Sequence, residues 1–122
     1  GGTCGRNVIL LTTNASLKVI EAAQESLGEA SVPVALLVVD EAHHTAGHGV
    51  ESGRALYDEN IFAERRLFLT ATPAVYGAKD SLTGLGDSDG RLRSMDDESL
   101  FGPRHVLTAT EAVEQSITVP VK

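Results

Sequence analysis

The chain has 122 residues, a formal net charge of −7 and 42% hydrophobic residues. Such a composition belongs to a globular chain that forms one small domain or part of a larger one. The acidic balance excludes a basic coat that binds nucleic acid without specificity, though it leaves room for a local basic groove. No apolar run is long enough to span a membrane, and the single cysteine, Cys4, excludes an internal disulfide. With no basic, apolar leader in view, the expectation is a reducing, cytoplasmic setting. The missing initiator methionine suggests a chain cut from a longer one.

In chain order, "NVILLTT" at 7–13 is a short apolar, β-branched run between glycine and asparagine and predicts a buried strand. From Asn14 the period changes: Val19, Ile20, Ala23 and Leu27 share one helical face, and Gly28 supplies the stop. Pro33 punctuates, and "VALLVV" at 34–39 predicts a second strand. Its continuous apolarity is what a parallel sheet covered on both faces requires. A short helix is expected over 50–57, and "RLFLTAT" at 66–72, closed by Pro73, predicts a third strand.

The stretch 77–94 is rich in Gly, Asp and Ser, has no period and reads as a mobile loop. "RHVLT" at 104–108 is a weaker fourth strand. Thr108 followed by Glu111 has capping-box spacing, which predicts a helix from Ala109 to about Ser116. "ITVPV" at 117–121 is extended, and Pro120 marks residues 117–122 as an edge strand or linker. The rhythm is that of an α/β fold with an open, mainly parallel sheet flanked by helices. Ligands on such sheets sit beyond the carboxyl ends of the strands, where Thr13, Asp40 and the 70–72 stretch fall.

Asp40 and Glu41 leave a buried strand side by side, with His43 just behind them. An acid at such a strand end can hold Mg²⁺, often through water, because a hard dication wants oxygen ligands and keeps part of its hydration shell. A neighbouring carboxylate can polarise the water that attacks a γ-phosphate. His43 can hydrogen-bond to a neighbouring loop and report the state of the site. The bland alternatives are a solvated strand end for the acids, strand-end hydroxyls for Thr70 and Thr72, and simple helix-start caps for Thr13 and Ser16. His43, His44 and His48 also suggest zinc, but three imidazoles without a fixed scaffold make a poor tetrahedral set. Arg65 and Arg66 read as a solvated rim, and the acids at 96–98 as loop surface.

"DEAH" at 40–43 after an apolar strand, with "TATP" at 70–73, resembles the first motor domain of superfamily 2 DEAD/DEAH-box helicases. The closer likeness is to the translocase motors related to restriction-enzyme subunits of the type III res class. "TTNASL" at 12–17 matches in part the segment that precedes motif II in that group. "RRLFLTATPAVYG" is similar to its motif III strand, and "SMDDESLFGPRHVLTATEAV" to the stretch leading towards the second domain.

The resemblance implies that residues 1–122 are a partial RecA-like (P-loop NTPase) domain, the later part of the first one, lacking the Walker A strand. It implies ATP and Mg²⁺ as cofactors, with Asp40 as the metal-site acid and Glu41 as the residue that activates water. His43, Thr70 and Thr72 would couple nucleotide state to movement, and Thr13 with Ser16 would touch a nucleic-acid backbone, DNA rather than RNA. The other expected partners are the remainder of the helicase, with its Walker A segment and second RecA-like domain, and no membrane. The chain departs from the group at several places. It has no G-x-x-x-x-G-K-[ST] sequence and no second motor domain with its arginine finger. Asn14 and Ala15 stand where Tyr and Gln are common, and Ala74 replaces an arginine often found after TATP. The alternative reading is therefore a degenerate, catalytically inactive remnant that acts as a nucleic-acid or protein binding module.

Overall fold

The apolar run at 34–39 forms strand β1, Leu37–Val39, and the run at 66–72 forms β2, Arg66–Phe68, in a computed structural model that describes residues 5–77 and 92–119. The strands pair in parallel, with Leu37 opposite Arg66, Val38 opposite Leu67 and Val39 opposite Phe68. Pairing runs on past both ends: Val34 bridges Ala63, and Leu69 donates its N–H to the Val39 carbonyl at 2.9 Å. Parallel neighbours need a long crossover. Here it contains a 3₁₀ turn at Ala42–Thr45, the short helix α2 (Val50–Gly53) and a second 3₁₀ turn at Arg54–Leu56. The described residues form a small α/β domain with a two-stranded parallel sheet and helices.

A 3₁₀ turn at Asn14–Ser16 leads into helix α1, Leu17–Leu27, which Gly28 ends with a φ of 52°. The expected apolar stripe is rotated. Leu17 is buried and Ile20 packs on the core, whereas Val19 and Leu27 are exposed. Polar side chains on the inward side set this rotation. Gln24 donates to the Phe62 carbonyl and accepts from the Phe62 N–H, both at 2.9 Å, as a paired strand would. Glu21 pairs with Arg54 and accepts from Asn60. A helix anchored through residues 17, 20, 21 and 24 cannot also turn Val19 and Leu27 inward.

Leu17, Val39, Ala42, Ala55 and Ile61 make the core, with Ile20, Leu37, Phe68 and Met95 against it. It covers one face of the sheet. On the other face Val38 is 50% and Leu67 47% exposed, so the two-sided cover expected from continuous apolarity is not present among the described residues. The strand expected at 7–13 is also not formed there. Val8, Ile9, Leu10 and Leu11 are all strongly exposed. Residues 9–14 stand off β1 across a groove of about 590 Å³, and without ladder bonds the apolar run has nothing to bury it.

Helix α3, Glu98–Phe101, is capped by Asp97, whose carboxylate accepts from the Ser99 N–H at 3.0 Å, so one acid read as loop surface has a local structural role. Phe101 sets its ring edge-on to Phe68, 5.1 Å between centroids. Helix α4, Ala109–Glu114, carries the predicted capping box between Thr108 and Glu111. Residues 104–108, read as a fourth strand, make no ladder, and Val106 and Leu107 are exposed. Ser116, at a φ of 57°, turns the chain back so that the N–H groups of Ile117 and Thr118 reach the Ala112 carbonyl. That turn ties Ile117 and Thr118 to the helix and not to a sheet; 120–122 lie outside the described residues. Of the expected loop at 77–94, residues 78–91 also lie outside them, while Arg93 at its far end is 1% exposed and firmly bonded. Arg66, expected on a solvated rim, is half-buried and reaches the Ala55 and Ile61 carbonyls and Asp58. No helix among the described residues is long and apolar enough to cross a membrane.

Candidate functional site

At the carboxyl end of β1 the backbone turns sharply. Asp40 is exposed, and its Oδ1 accepts the N–H of Glu41 at 2.9 Å. Glu41 lies in the left-handed region, with φ 51° and ψ 44°. That region disfavours a residue with a Cβ by roughly 1–2 kcal/mol. The turn lets the next residue swing back onto the sheet: Ala42 is fully buried and donates its N–H to the Leu69 carbonyl at 2.9 Å. One hydrogen bond thus fastens the end of the first strand's loop to the end of the second strand.

His43 follows on the 3₁₀ turn, with its side chain half-buried. Its Nδ1 is 2.8 Å from the Thr70 Oγ1, 3.3 Å from a Glu41 carboxylate oxygen and 3.4 Å from the Thr72 Oγ1. Thr70 Oγ1 also accepts the Thr72 N–H at 3.1 Å. A hydroxyl carries one proton and two lone pairs, so Thr70 can accept from Thr72 and still either donate to His43 or accept from it. Glu41, His43, Thr70 and Thr72 therefore form one connected polar cluster. The Glu41 side chain keeps 61% of its surface open to solvent.

Asp40 stands beside this cluster and lines the groove shared by β1 and residues 9–14. Thr13 lines the same groove. Its Oγ1 donates to the Ser16 Oγ at 3.0 Å, and neither side chain caps a helix N–H. Both residues are exposed and stand at the N-cap positions of the turn and the helix that follow them, without making a side-chain cap bond. Asp40, Glu41, His43, Thr70 and Thr72 thus lie just past the carboxyl ends of the two strands, and Thr13 shares a groove with Asp40. Ser16, which does not line the groove, takes part only through Thr13.

Among the described residues no group of three or more His, Cys, Asp or Glu side chains is placed to hold a metal ion, so His43, His44 and His48 do not form a zinc set. His44 instead sets its ring at 44° to that of His43, 4.1 Å between centroids. An Mg²⁺ ion at Asp40 would have that carboxylate as its protein ligand and would take its remaining ligands from water and phosphate.

One buried residue beside the site escaped the sequence reading. Arg93 reaches into the loop that follows His43 and donates to the Thr45 carbonyl. Nothing in "GRLRSM" separates a buried arginine from an exposed one; the matching signal is Gly53, forty residues earlier, over which its guanidinium lies. No protein-family model, no curated protein and no solved structure matches this chain.

Proposed function

We propose that the chain is the later part of the first RecA-like motor domain of a superfamily 2 helicase or translocase. In this reading it carries the DEAH and TAT elements of an ATP hydrolase that moves on nucleic acid, DNA in preference to RNA. The observation that carries the reading is the 2.8 Å contact between His43 and Thr70, which joins the two elements at the carboxyl end of a parallel strand pair. This contact ties the loop after β1 to the loop after β2, which supports a linked site over a bare strand end.

Each side chain then has a task. Asp40 would hold Mg²⁺, which would supply neutralisation of charge on the phosphate oxygens. Glu41, mostly open to solvent, orients and polarises the attacking water and takes its proton. The Nδ1 of His43 faces the Thr70 hydroxyl and, at longer range, the Glu41 carboxylate, so a change at the nucleotide is felt at the loop after the second strand. Thr72 backs that contact through its N–H to Thr70. Thr13 and Ser16 present paired hydroxyls suited to a phosphodiester backbone.

The test is made on the full-length gene product. Glu41→Gln should leave ATP binding nearly intact and slow hydrolysis by orders of magnitude, because it removes the base and keeps the shape. Asp40→Ala should instead weaken Mg²⁺-dependent nucleotide binding. Wild-type turnover in both variants would reduce the acids to a strand end.

A second reading has its own observation. Asn14 and Ala15 stand where Tyr and Gln are common in the motor group, and Ala74 where an arginine is often found, which favours a non-hydrolysing binding module. Coding sequence upstream of Gly1 with a phosphate loop, and downstream of Lys122 with a second motor domain, favours the motor; finding neither favours the module.

A further inference from the structure

Residues 92–95 are fastened to both loops that leave the site. On one side Gly47 and Arg93 exchange backbone hydrogen bonds, Gly47 N–H to the Arg93 carbonyl at 2.7 Å and the reverse at 3.1 Å. The Arg93 side chain then runs beneath the loop that follows His43. Its Nε donates to the Thr45 carbonyl at 3.2 Å, and a terminal nitrogen donates to the Gly49 carbonyl and, at 3.1 Å, to the Ser52 hydroxyl. On the other side Met95 donates its N–H to the Ala74 carbonyl at 2.9 Å, and the Tyr76 N–H reaches the Ser94 hydroxyl at 2.9 Å. Ala74 and Tyr76 belong to the loop that follows Thr70, Thr72 and Pro73.

Gly53 makes the arrangement possible. Its φ of −81° is open to any residue, so conformational freedom is not the reason for a glycine. A Cβ there would lie 2.7 Å from the Arg93 Cζ and 2.8 Å from one of its terminal nitrogens. The guanidinium occupies the space of the missing side chain. Burying a charged group is costly unless its donors find partners, and the Thr45 and Gly49 carbonyls receive its Nε and one terminal nitrogen.

We propose that Arg93 is a positioning residue for the site. It holds the loop that follows Asp40–His43, while Ser94 and Met95 hold the loop that follows Thr70–Pro73, and together they keep His43 in register with Thr70. The consequence for turnover rests on the nucleotide-hydrolase reading; the coupling of the two loops does not.

The test uses Arg93→Gln, Arg93→Lys and Gly53→Ala in the full-length gene product, read by amide hydrogen exchange and by ATP turnover. In Arg93→Gln, exchange at Ala42, Ala46 and Leu69 should quicken by about tenfold or more, while Val34 and Glu64, which pair at the far end of the sheet, keep their wild-type rates. Gly53→Ala should reproduce that pattern with Arg93 present, and the double variant should be no worse than either single one. Should Arg93→Gln fail to fold, Arg93→Lys carries the same comparison, since it keeps the charge and loses the planar fork. For turnover, kcat should fall in all variants with KM for ATP unchanged. A uniform rise in exchange that includes Val34 and Glu64 would make Arg93 a general stabiliser and overturn the proposal, as would unchanged exchange at Ala42 and Leu69. A wild-type protein without ATPase activity refutes the hydrolase reading and leaves the exchange pattern to decide this one.

Discussion

The Nδ1 of His43 lies 2.8 Å from the Oγ1 of Thr70, twenty-seven residues away, and this pair links the ends of two parallel strands. The half-buried contact is shielded enough to contribute to stability as well as to relay. His43→Ala and Thr70→Ala should each destabilise the chain, and a double-mutant cycle in urea should return a coupling of about 1 kcal/mol. Strict additivity would show that the two side chains are neighbours without an energetic link.

Glu41 is held in the left-handed region, which asparagine tolerates far better than glutamate. Glu41→Asn should therefore raise stability by about 1 kcal/mol while abolishing hydrolysis in the full-length protein. A variant that gains nothing in thermal or denaturant stability would mean that the turn, and not the residue, sets the conformation.

How much of this was legible in the sequence follows from which forces act locally. The runs at 34–39 and 66–72 and the stop at Gly28 are written in apolar period and in glycine's backbone freedom; the stop falls where expected, and each run forms a strand over three of its residues, Leu37–Val39 and Arg66–Phe68. The Thr108–Glu111 capping box depends on residues three apart, so it too is readable. Burial at 7–13 is different. It depends on a neighbour to pair with, and the same letters serve a buried strand or an exposed one. The proposed site residues Asp40, Glu41, His43, Thr70 and Thr72 are legible because two short motifs frame them. Arg93 is not, because an arginine is ordinarily a surface residue and its buried place depends on a glycine forty positions away.

The capping box at α4 gives the chain a pH-dependent element. The Thr108 N–H and hydroxyl both donate to the Glu111 carboxylate at 2.8 Å, and they hold its pKa below the ordinary glutamate value. The folded carboxyl thus gives up its proton more readily than the unfolded one. Its stabilisation is fully present above the ordinary glutamate range and is lost as pH falls through the lowered value. Helicity at 109–114, followed by amide chemical shifts, should fade over that acid window. In Glu111→Gln, which can keep the capping geometry without the charge, the fading should disappear. An unchanged acid transition in that variant would assign it to another carboxylate.

The last prediction concerns the sheet itself. Among the described residues β2 has a strand on one side only, and the open face beside it carries Leu36, Val38, Leu67 and Leu69, all close to half exposed. An edge of this kind leaves backbone N–H and C=O groups ready to pair with another chain. A bare apolar face adds a second reason to associate. In the RecA-like arrangement proposed above, the strand leading to the phosphate loop would lie against β2 and close that edge. The 122-residue chain should therefore unfold with low cooperativity and self-associate, as light scattering and thermal unfolding would report. A longer version that includes the upstream strand should be monomeric and more stable. Leu67→Lys should reduce association of the short chain without restoring its stability, since a charge discourages stacking of open faces but supplies no missing strand. A sharply cooperative, monomeric 122-residue chain would mean that the edge of β2 is closed in another way, and the proposed place of the upstream strand would have to be given up.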